Sequence, residues 1–570
     1  MTDVTAIRQP TLSQITPTIH YQVAMPQPES HLFEVTLQIH HWQASILALK
    51  MPVWTPGSYL VREYAKQVQD FSAVSDANRP LSSRKVSKNC WQIDTSDTET
   101  IQVQYRVFAN ELTVRTNHLD ATHGYFNGAA LFFYLPGFET EPIKVTIIPP
   151  HSDWQIATAL PPVAGEVNTF EAADFDTLVD SPFEIGIQQR YEFEVLGKPH
   201  EFVFWGQGNA NPEQIIEDTQ KIIEVEAELY GGLPYDRYLF LLHLSAGGFG
   251  GLEHKTSCSL NYPRFGFRAK DKYNRFMQLV AHEFFHLWNV KRIRPKVLEQ
   301  FNYDQEAYTT SLWFCEGTTS YYDTHLPLRA GIYDVNGFLE ILSKDVHRFL
   351  TTPGRKVQAL GESSFDAWIK LYRRDANSDN AQISYYLKGE MVSLLVDLLI
   401  RSRHNNKRSL DDVMRLMWER FGKDEIGFTE TELRELVESV AETDLKDFFT
   451  RYIDGTEELP LNEYLQPFGL KISAITDDEP IPYLGIRLNS EHGKDIIKFV
   501  EAGSPAGVAG VDTEDELLAI DGIRVTADGL SERLKDYEPG NTIQITVFHQ
   551  DELLTHSVTL AEPQPSRYQV

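Results

Sequence analysis

His282-Glu283-Phe284-Phe285-His286 is the stretch on which the reading of this chain turns. Phe276-Met277-Gln278-Leu279-Val280-Ala281 leads into it and Leu287-Trp288 follows, a run with helical character. On a helix, residues four apart stand on one face, one above the other. Two imidazoles so placed can grip one Zn²⁺, and the glutamate between them can take a proton from water. That donor set points to amide-bond hydrolysis, and so to a metallopeptidase.

Zinc needs a third protein ligand and an open position. Trp313-Phe314-Cys315-Glu316-Gly317-Thr318-Thr319-Ser320-Tyr321-Tyr322 supplies a candidate in Glu316. Its neighbourhood is aromatic and uncharged, where a lone carboxylate is costly to bury and a dication removes that cost. A developing oxyanion also needs a donor, and a tyrosine hydroxyl is a good neutral one. Tyr385 and Tyr386 both qualify on the residues alone. The apolar run Tyr238 to Leu244 reads as a buried strand. Gly247-Gly248-Phe249-Gly250-Gly251 after it permits close approach of another backbone, here a substrate peptide laid along a sheet edge at Gly250 and Gly251. Glu253, an acid beside that edge, would capture a substrate ammonium by a charge-assisted hydrogen bond and close the cleft on one side. His243, His254 and His325 read as packing or supporting histidines. The roles of Asn289, Arg292 and Arg294 stay open.

Four separated segments resemble the glutamate-zincin aminopeptidases, and most of all the glycyl aminopeptidase family, a relative of the aminopeptidase N family. They are Met51-Pro52-Val53-Trp54-Thr55-Pro56-Gly57-Ser58-Tyr59, Gly250-Gly251-Leu252-Glu253-His254, His282 to Asn289 with Glu316-Gly317, and Tyr386-Leu387-Lys388-Gly389. The resemblance implies one zinc ion per chain held by His282, His286 and Glu316, with Glu283 as general base. It implies that Glu253 binds the free α-amino group and that Tyr386, rather than Tyr385, bonds the tetrahedral intermediate. It also implies a thermolysin-like catalytic domain and a preference for small N-terminal residues, glycine or alanine. Gly251, Leu252 and His254 depart from the aminopeptidase N motif, which has alanine, methionine and asparagine there.

The fold class expected is multidomain α+β. Residues 1–190 alternate apolar and polar, as in Phe33-Glu34-Val35-Thr36-Leu37-Gln38-Ile39 and Ile101-Gln102-Val103-Gln104-Tyr105-Arg106-Val107, and form an all-β domain. Residues 191–460 form the catalytic domain, a sheet lobe to about 332 and a helical lobe from about 333. Asn211-Pro212-Glu213 opens a helix that Gly231-Gly232 ends. Pro460 to Pro467 reads as a linker. Residues 470–562 resemble a PDZ domain, through Tyr483-Leu484-Gly485-Ile486, Gly503 to Val511 and Asp515 to Gly522. Such domains hold a peptide carboxylate on backbone amides, here near Leu484 and Gly485. The domain either binds a peptide ligand or packs on the catalytic unit.

The 42% hydrophobic share and 12% aromatics fit a well-packed globular chain. Net charge −29 argues against a nucleic-acid partner, which requires a basic face. Cys90, Cys258 and Cys315 show no paired spacing, so neither a disulfide framework nor a cysteine metal site is indicated. Met1-Thr2-Asp3-Val4-Thr5 opens no signal peptide, and no long apolar run marks a membrane span. A cytoplasmic enzyme acting on peptides with a free amino terminus is the expectation. Two other readings compete: an endopeptidase with the same centre, in which Glu253 does not block the cleft, and an inactive scaffold working through its PDZ-like domain.

Overall fold

The computed structural model describes residues 16–570, so the first fifteen residues, Met1-Thr2-Asp3-Val4-Thr5 among them, lie outside the described part. Two compact units divide it. The first holds the chain to Ala307 together with Phe421–Gly427, and the second holds Tyr308–Arg420 with Phe428–Val570.

The first unit begins as β structure because its strands can bury one face. Leu32–His40 pairs antiparallel with Ile101–Phe108, setting Phe33 opposite Val107, Leu37 opposite Val103 and Ile39 opposite Ile101. All six are buried. The polar residues between them face the other way, as the two-residue period requires. Thr18–Ala24, Ile143–Ile148, Thr169–Ala172 and Val68–Ser75 complete a six-stranded sheet.

A five-stranded sheet follows, in the order Gln189–Val195, Lys198–Trp205, Tyr238–Ser245, Ser257–Pro263, Gly250–Glu253. Its three middle strands are parallel. Tyr238–Ser245 is buried at every position, as its continuous apolar run demands. Gly250–Glu253 is the edge strand, paired on one side only, antiparallel to Ser257–Pro263. The helix Pro212–Tyr230 starts where Asn211 accepts from the Gln214 amide and stops at left-handed Gly231. The helix Lys270–Phe285 ends sooner than the apolar run suggests. His286 caps it and Val290 turns the chain at φ 130°, so Leu287 and Trp288 leave the helix as buried turn residues.

In the second unit the polypeptide is mostly helical between Trp313 and Arg420 and again from Glu430 to Tyr452, with Val335–Leu350 and Tyr385–Arg403 the longest elements. The segment carrying Glu316 thus groups with the helices that follow it. Pro460–Pro467 is not an open linker. Leu461–Leu465 is a short helix, because Leu461 and Leu465, four apart, both find buried positions. The C-terminal region is a five-stranded antiparallel path in the order Ile486–Glu491, Lys494–Val500, Glu516–Ile520, Thr542–His549, Glu552–Thr559, with Ile523–Arg524 paired to the third strand. Beyond it, Arg567–Gln569 pairs with Ser473–Ile475. Among the described residues no helix is long and apolar enough to cross a membrane. The three cysteines are free and buried.

Candidate active site

The residues singled out above fall into two groups, one in each unit. In the first unit, helical spacing sets His282 and His286 side by side with their rings nearly perpendicular and their Nε2 atoms 3.1 Å apart. The backbone carbonyl of Asn289 accepts from His286 Nδ1 at 2.6 Å, which leaves the Nε2 lone pair pointing at His282. The turn after the helix is therefore what orients this imidazole. Two ligand nitrogens, each about 2.0–2.1 Å from a tetrahedral zinc ion, would lie roughly 3.3 Å apart. The pair fits such an ion.

Glu283 lies between them and is 4% exposed. Burial pushes its carboxyl up to about 7, against the pull of the two imidazoles, and Glu253 adds to the rise. A carboxylate with that affinity for a proton can both accept and return one near neutral pH.

The edge strand Gly250–Glu253 runs beside this group. A Cβ at Gly251 would sit 2.2 Å from Glu283 Cδ, so only glycine lets the strand come this close. Arg115 Nη2 donates to the Gly251 carbonyl at 3.0 Å. Gly250 adopts φ 138°, which also favours glycine. At the strand's end Glu253 is 3% exposed, and its Oε1 is a buried acceptor with no hydrogen-bond partner among the described residues. Gly57, at φ 86°, is pressed against the same carboxylate, and a Cβ there would lie 2.5 Å from Oε1 and 2.7 Å from Oε2. A crevice of about 10 Å³ beside Glu253 is walled by Trp54, Gly57, Tyr59, Val290 and Phe301.

His254 follows Glu253 and bonds Asp180 through Nδ1 at 3.1 Å, while the Lys255 amide donates to the same carboxylate at 2.8 Å. Burial opposes the charge on Asp180, but Lys291 and His254 hold its carboxyl well below the usual range. This network pins the end of the edge strand. Arg292 donates to the carbonyls of Leu287, Lys255 and Pro234, and Arg294 pairs with Glu425. His243 and His123 lie outside the helix Lys270–Phe285, each bonded at 2.9 Å to the buried Glu184.

In the second unit Glu316 lies in a π-helical turn, Trp313–Gly317, and is 2% exposed. Gly317 is in backbone contact with Gly389. A Cβ on Gly317 would fall 2.5 Å from Gly389 Cα, and one on Gly389 would fall 2.8 Å from the Trp313 carbonyl oxygen. This close crossing holds the Glu316 turn against the helix Tyr385–Arg403, and Thr318 Oγ1 bonds Ser393 Oγ at 2.9 Å beside it. Tyr386 is half-buried and its hydroxyl lies 3.2 Å from that of Tyr372. Burial pushes the Tyr386 phenol well above its ordinary range and the nearby Glu316 carboxylate pushes it further, so it remains a hydrogen-bond donor. Tyr385 stacks on it at 4.8 Å and is fully buried. Leu484 and Gly485 form the turn before the first PDZ strand.

Sequence reasoning missed Arg115, Gly57 and Tyr372. None lies near its partner along the chain, and only Gly57 fell inside a motif, where nothing indicated what it touches.

Family models match this chain in three stretches: the Peptidase M61 N-terminal domain over residues 20–187, M61 glycyl aminopeptidase over 275–392, and a PDZ domain over 482–560. Among solved structures, an aminopeptidase N family protein from Idiomarina loihiensis is 32% identical, with 97% of each chain covered and a TM-score of 0.92. An M1 zinc metallopeptidase variant from Deinococcus radiodurans, bound to a Tyr-Ser-Ala substrate, is 15% identical over 78% of this chain and 94% of that one, with a TM-score of 0.48. Yeast LTA4 hydrolase is 12% identical over 78% of this chain and 69% of its own, with a TM-score of 0.47. No curated protein matches the sequence.

Proposed function

Since this chain belongs to the M61 glycyl aminopeptidase family of peptidases, we propose that it is a zinc-dependent aminopeptidase that removes small N-terminal residues from peptides. The observation that carries the reading is Glu253: a buried carboxylate oxygen with no hydrogen-bond partner among the described residues, on an edge strand that abuts Glu283. A buried acceptor left without a hydrogen bond is costly, and the ammonium of a peptide's amino terminus would supply one.

His282, His286 and Glu316 would hold one zinc ion. Among the described residues they are one of three groups whose donor atoms are suited to a metal. When bound, zinc supplies Lewis acidity, polarising the scissile carbonyl and lowering the pKa of water to about 7. The chain's own groups do the rest. Glu253 binds the ammonium and fixes which peptide bond is presented. Gly250 and Gly251 let the substrate backbone lie along the strand edge. Glu283 takes the proton from water and returns it to the departing amine. The Tyr386 hydroxyl donates to the developing oxyanion, and its half-exposed position, against the full burial of Tyr385, supports choosing it. The narrow crevice beside Glu253 favours a hydrogen or methyl side chain at the first residue. The boundaries 1–190, 191–460 and 470–562 serve as the domain division for this reading, and a cytoplasmic location is part of it.

The test compares alanyl and glycyl anilides with their N-acetyl forms. The free amines should be cleaved and the acetylated ones not. Equal rates on both would make the chain an endopeptidase. Wild-type protein that cleaves neither these nor any dipeptide would instead support the scaffold reading.

A further inference from the structure

Outside the helix Lys270–Phe285, the first unit gathers further metal-donor side chains. A four-stranded sheet of the N-terminal region runs in the order Gln155–Ala157, Phe183–Gly186, His123–Phe126, His118–Leu119. His118 and His123 lie on its last two strands, Asp120 follows the outer one, and Glu184 lies on the strand beside His123. Gly186 stands opposite His123 in the register, where an added Cβ would come within 2.8 Å of His123 Cβ, so glycine makes room for the imidazole. The five-stranded sheet supplies His243 and Trp205, whose ring stacks on His123 at 3.5 Å. His123 is fully buried. Its Nδ1 is engaged by Glu184 at 2.9 Å, and its Nε2 is buried with no hydrogen-bond partner among the described residues. A ring that donates one N–H to a carboxylate keeps a lone pair on its second nitrogen, the arrangement that readies a histidine to grip a metal.

Donor atoms of His118, Asp120 and His123 all lie within 4.8 Å of one another. Asp120 Oδ1 accepts from the Thr122 amide and hydroxyl and from the His123 amide, which fixes the carboxylate and leaves Oδ2 beside His118. Oδ2 is 3.2 Å from His118 Nε2, close to the roughly 3.4 Å that two donors keep on one tetrahedral zinc ion. The side chain of Asp120 is 33% exposed and that of His118 13%, so an ion held there has a way in and water for its open position. Glu184, by contrast, is sealed between His123 and His243, where it orients the first ring. We propose that His118, Asp120 and His123 hold a second divalent ion of the zinc class, with Glu184 as the positioning carboxylate behind His123. This ion is additional to the one assigned to His282, His286 and Glu316, and it does not depend on the aminopeptidase reading. Because His123 stacks on Trp205 and Glu184 bonds His243, the ion would fasten the four-stranded sheet to the five-stranded one.

The test uses the full-length chain carrying His282→Ala and His286→Ala, so that the ion assigned to those residues is not counted. Equilibrated with zinc and dialysed, this chain should retain one ion by elemental analysis, and zinc should raise its Tm. Adding His118→Ala should remove both the ion and the Tm shift. Asp120→Asn keeps an acceptor for Thr122, so the turn should stay folded while zinc binding weakens. Glu184→Gln should weaken it by roughly 10–100-fold. Co²⁺ in place of zinc should quench tryptophan emission, and that quenching should shrink in Trp205→Phe. In the wild-type chain, His118→Ala should lower the metal content by one equivalent, a comparison that leaves the helix Lys270–Phe285 untouched. No ion retained in the double variant, or one that persists through both His118→Ala and Asp120→Asn, would overturn the proposal. Unchanged affinity in Glu184→Gln would overturn the part given to Glu184. Cleavage of alanyl anilide by the wild-type chain tests the aminopeptidase reading on its own.

Discussion

Glu283 and Tyr386 are assigned different parts of one reaction, so their removal should leave different signatures. Glu283→Gln keeps the shape of the side chain and loses the base. Metal content should be unchanged while kcat falls by roughly 10²–10⁴-fold. Tyr386→Phe removes a donor that matters only as charge develops, so kcat should drop about 10²-fold with KM nearly constant, a loss of around 3 kcal/mol. Steady-state kinetics on an alanyl anilide, paired with metal analysis, separates the two. An unchanged kcat in Tyr386→Phe would move the donor's role elsewhere. The pairing of His282 with His286 was open to reading because it is written in residue type and local spacing. The choice between Tyr385 and Tyr386 was not, because neighbours on a helix differ in exposure and exposure depends on what packs over them.

At the scale of elements, two glycines decide where the Glu316 turn sits. Gly317 and Gly389 bring two helical segments into backbone contact that no larger residue allows. Gly317→Ala gains helix propensity but forces these segments apart. We expect a net loss of about 1–3 kcal/mol in stability, measured by thermal or urea unfolding, together with reduced metal retention. A variant as stable and as metal-rich as the wild type would show that the crossing tolerates a methyl group. The strands Leu32–His40 and Ile101–Phe108 and the helix Pro212–Tyr230 were readable because alternation, capping and glycine stops are local signals. The Gly317–Gly389 contact was not, since a glycine carries no sign of its distant partner. The short helix Leu461–Leu465 was missed because two prolines outweighed a pair of leucines one turn apart.

Across the whole molecule, acid should act on both units. Burial holds His200 in the first unit, and His325 in the second, down to about 4. The unfolded chain takes up these protons near pH 6.5 and the folded chain does not, so their contribution is complete above about 6.5 and is lost as pH falls toward 4. Each site accounts for at most roughly 3 kcal/mol. Calorimetric Tm should be level above neutrality and fall steeply between these limits, less steeply in His200→Gln. A Tm unchanged down to pH 4 would contradict both assignments.

Gly57 belongs to a loop of the N-terminal β region, yet it is moulded around the carboxylate of Glu253. The proposed amine anchor is thus shaped by two parts of the chain nearly two hundred positions apart. An excised catalytic fragment beginning near residue 191 would carry the machinery for cutting but lack the loop that shapes its grip on a peptide's head. Restoring the missing piece in trans, and asking whether selectivity for unblocked substrates returns with it, would show whether the front of the molecule is a ruler or merely a lid.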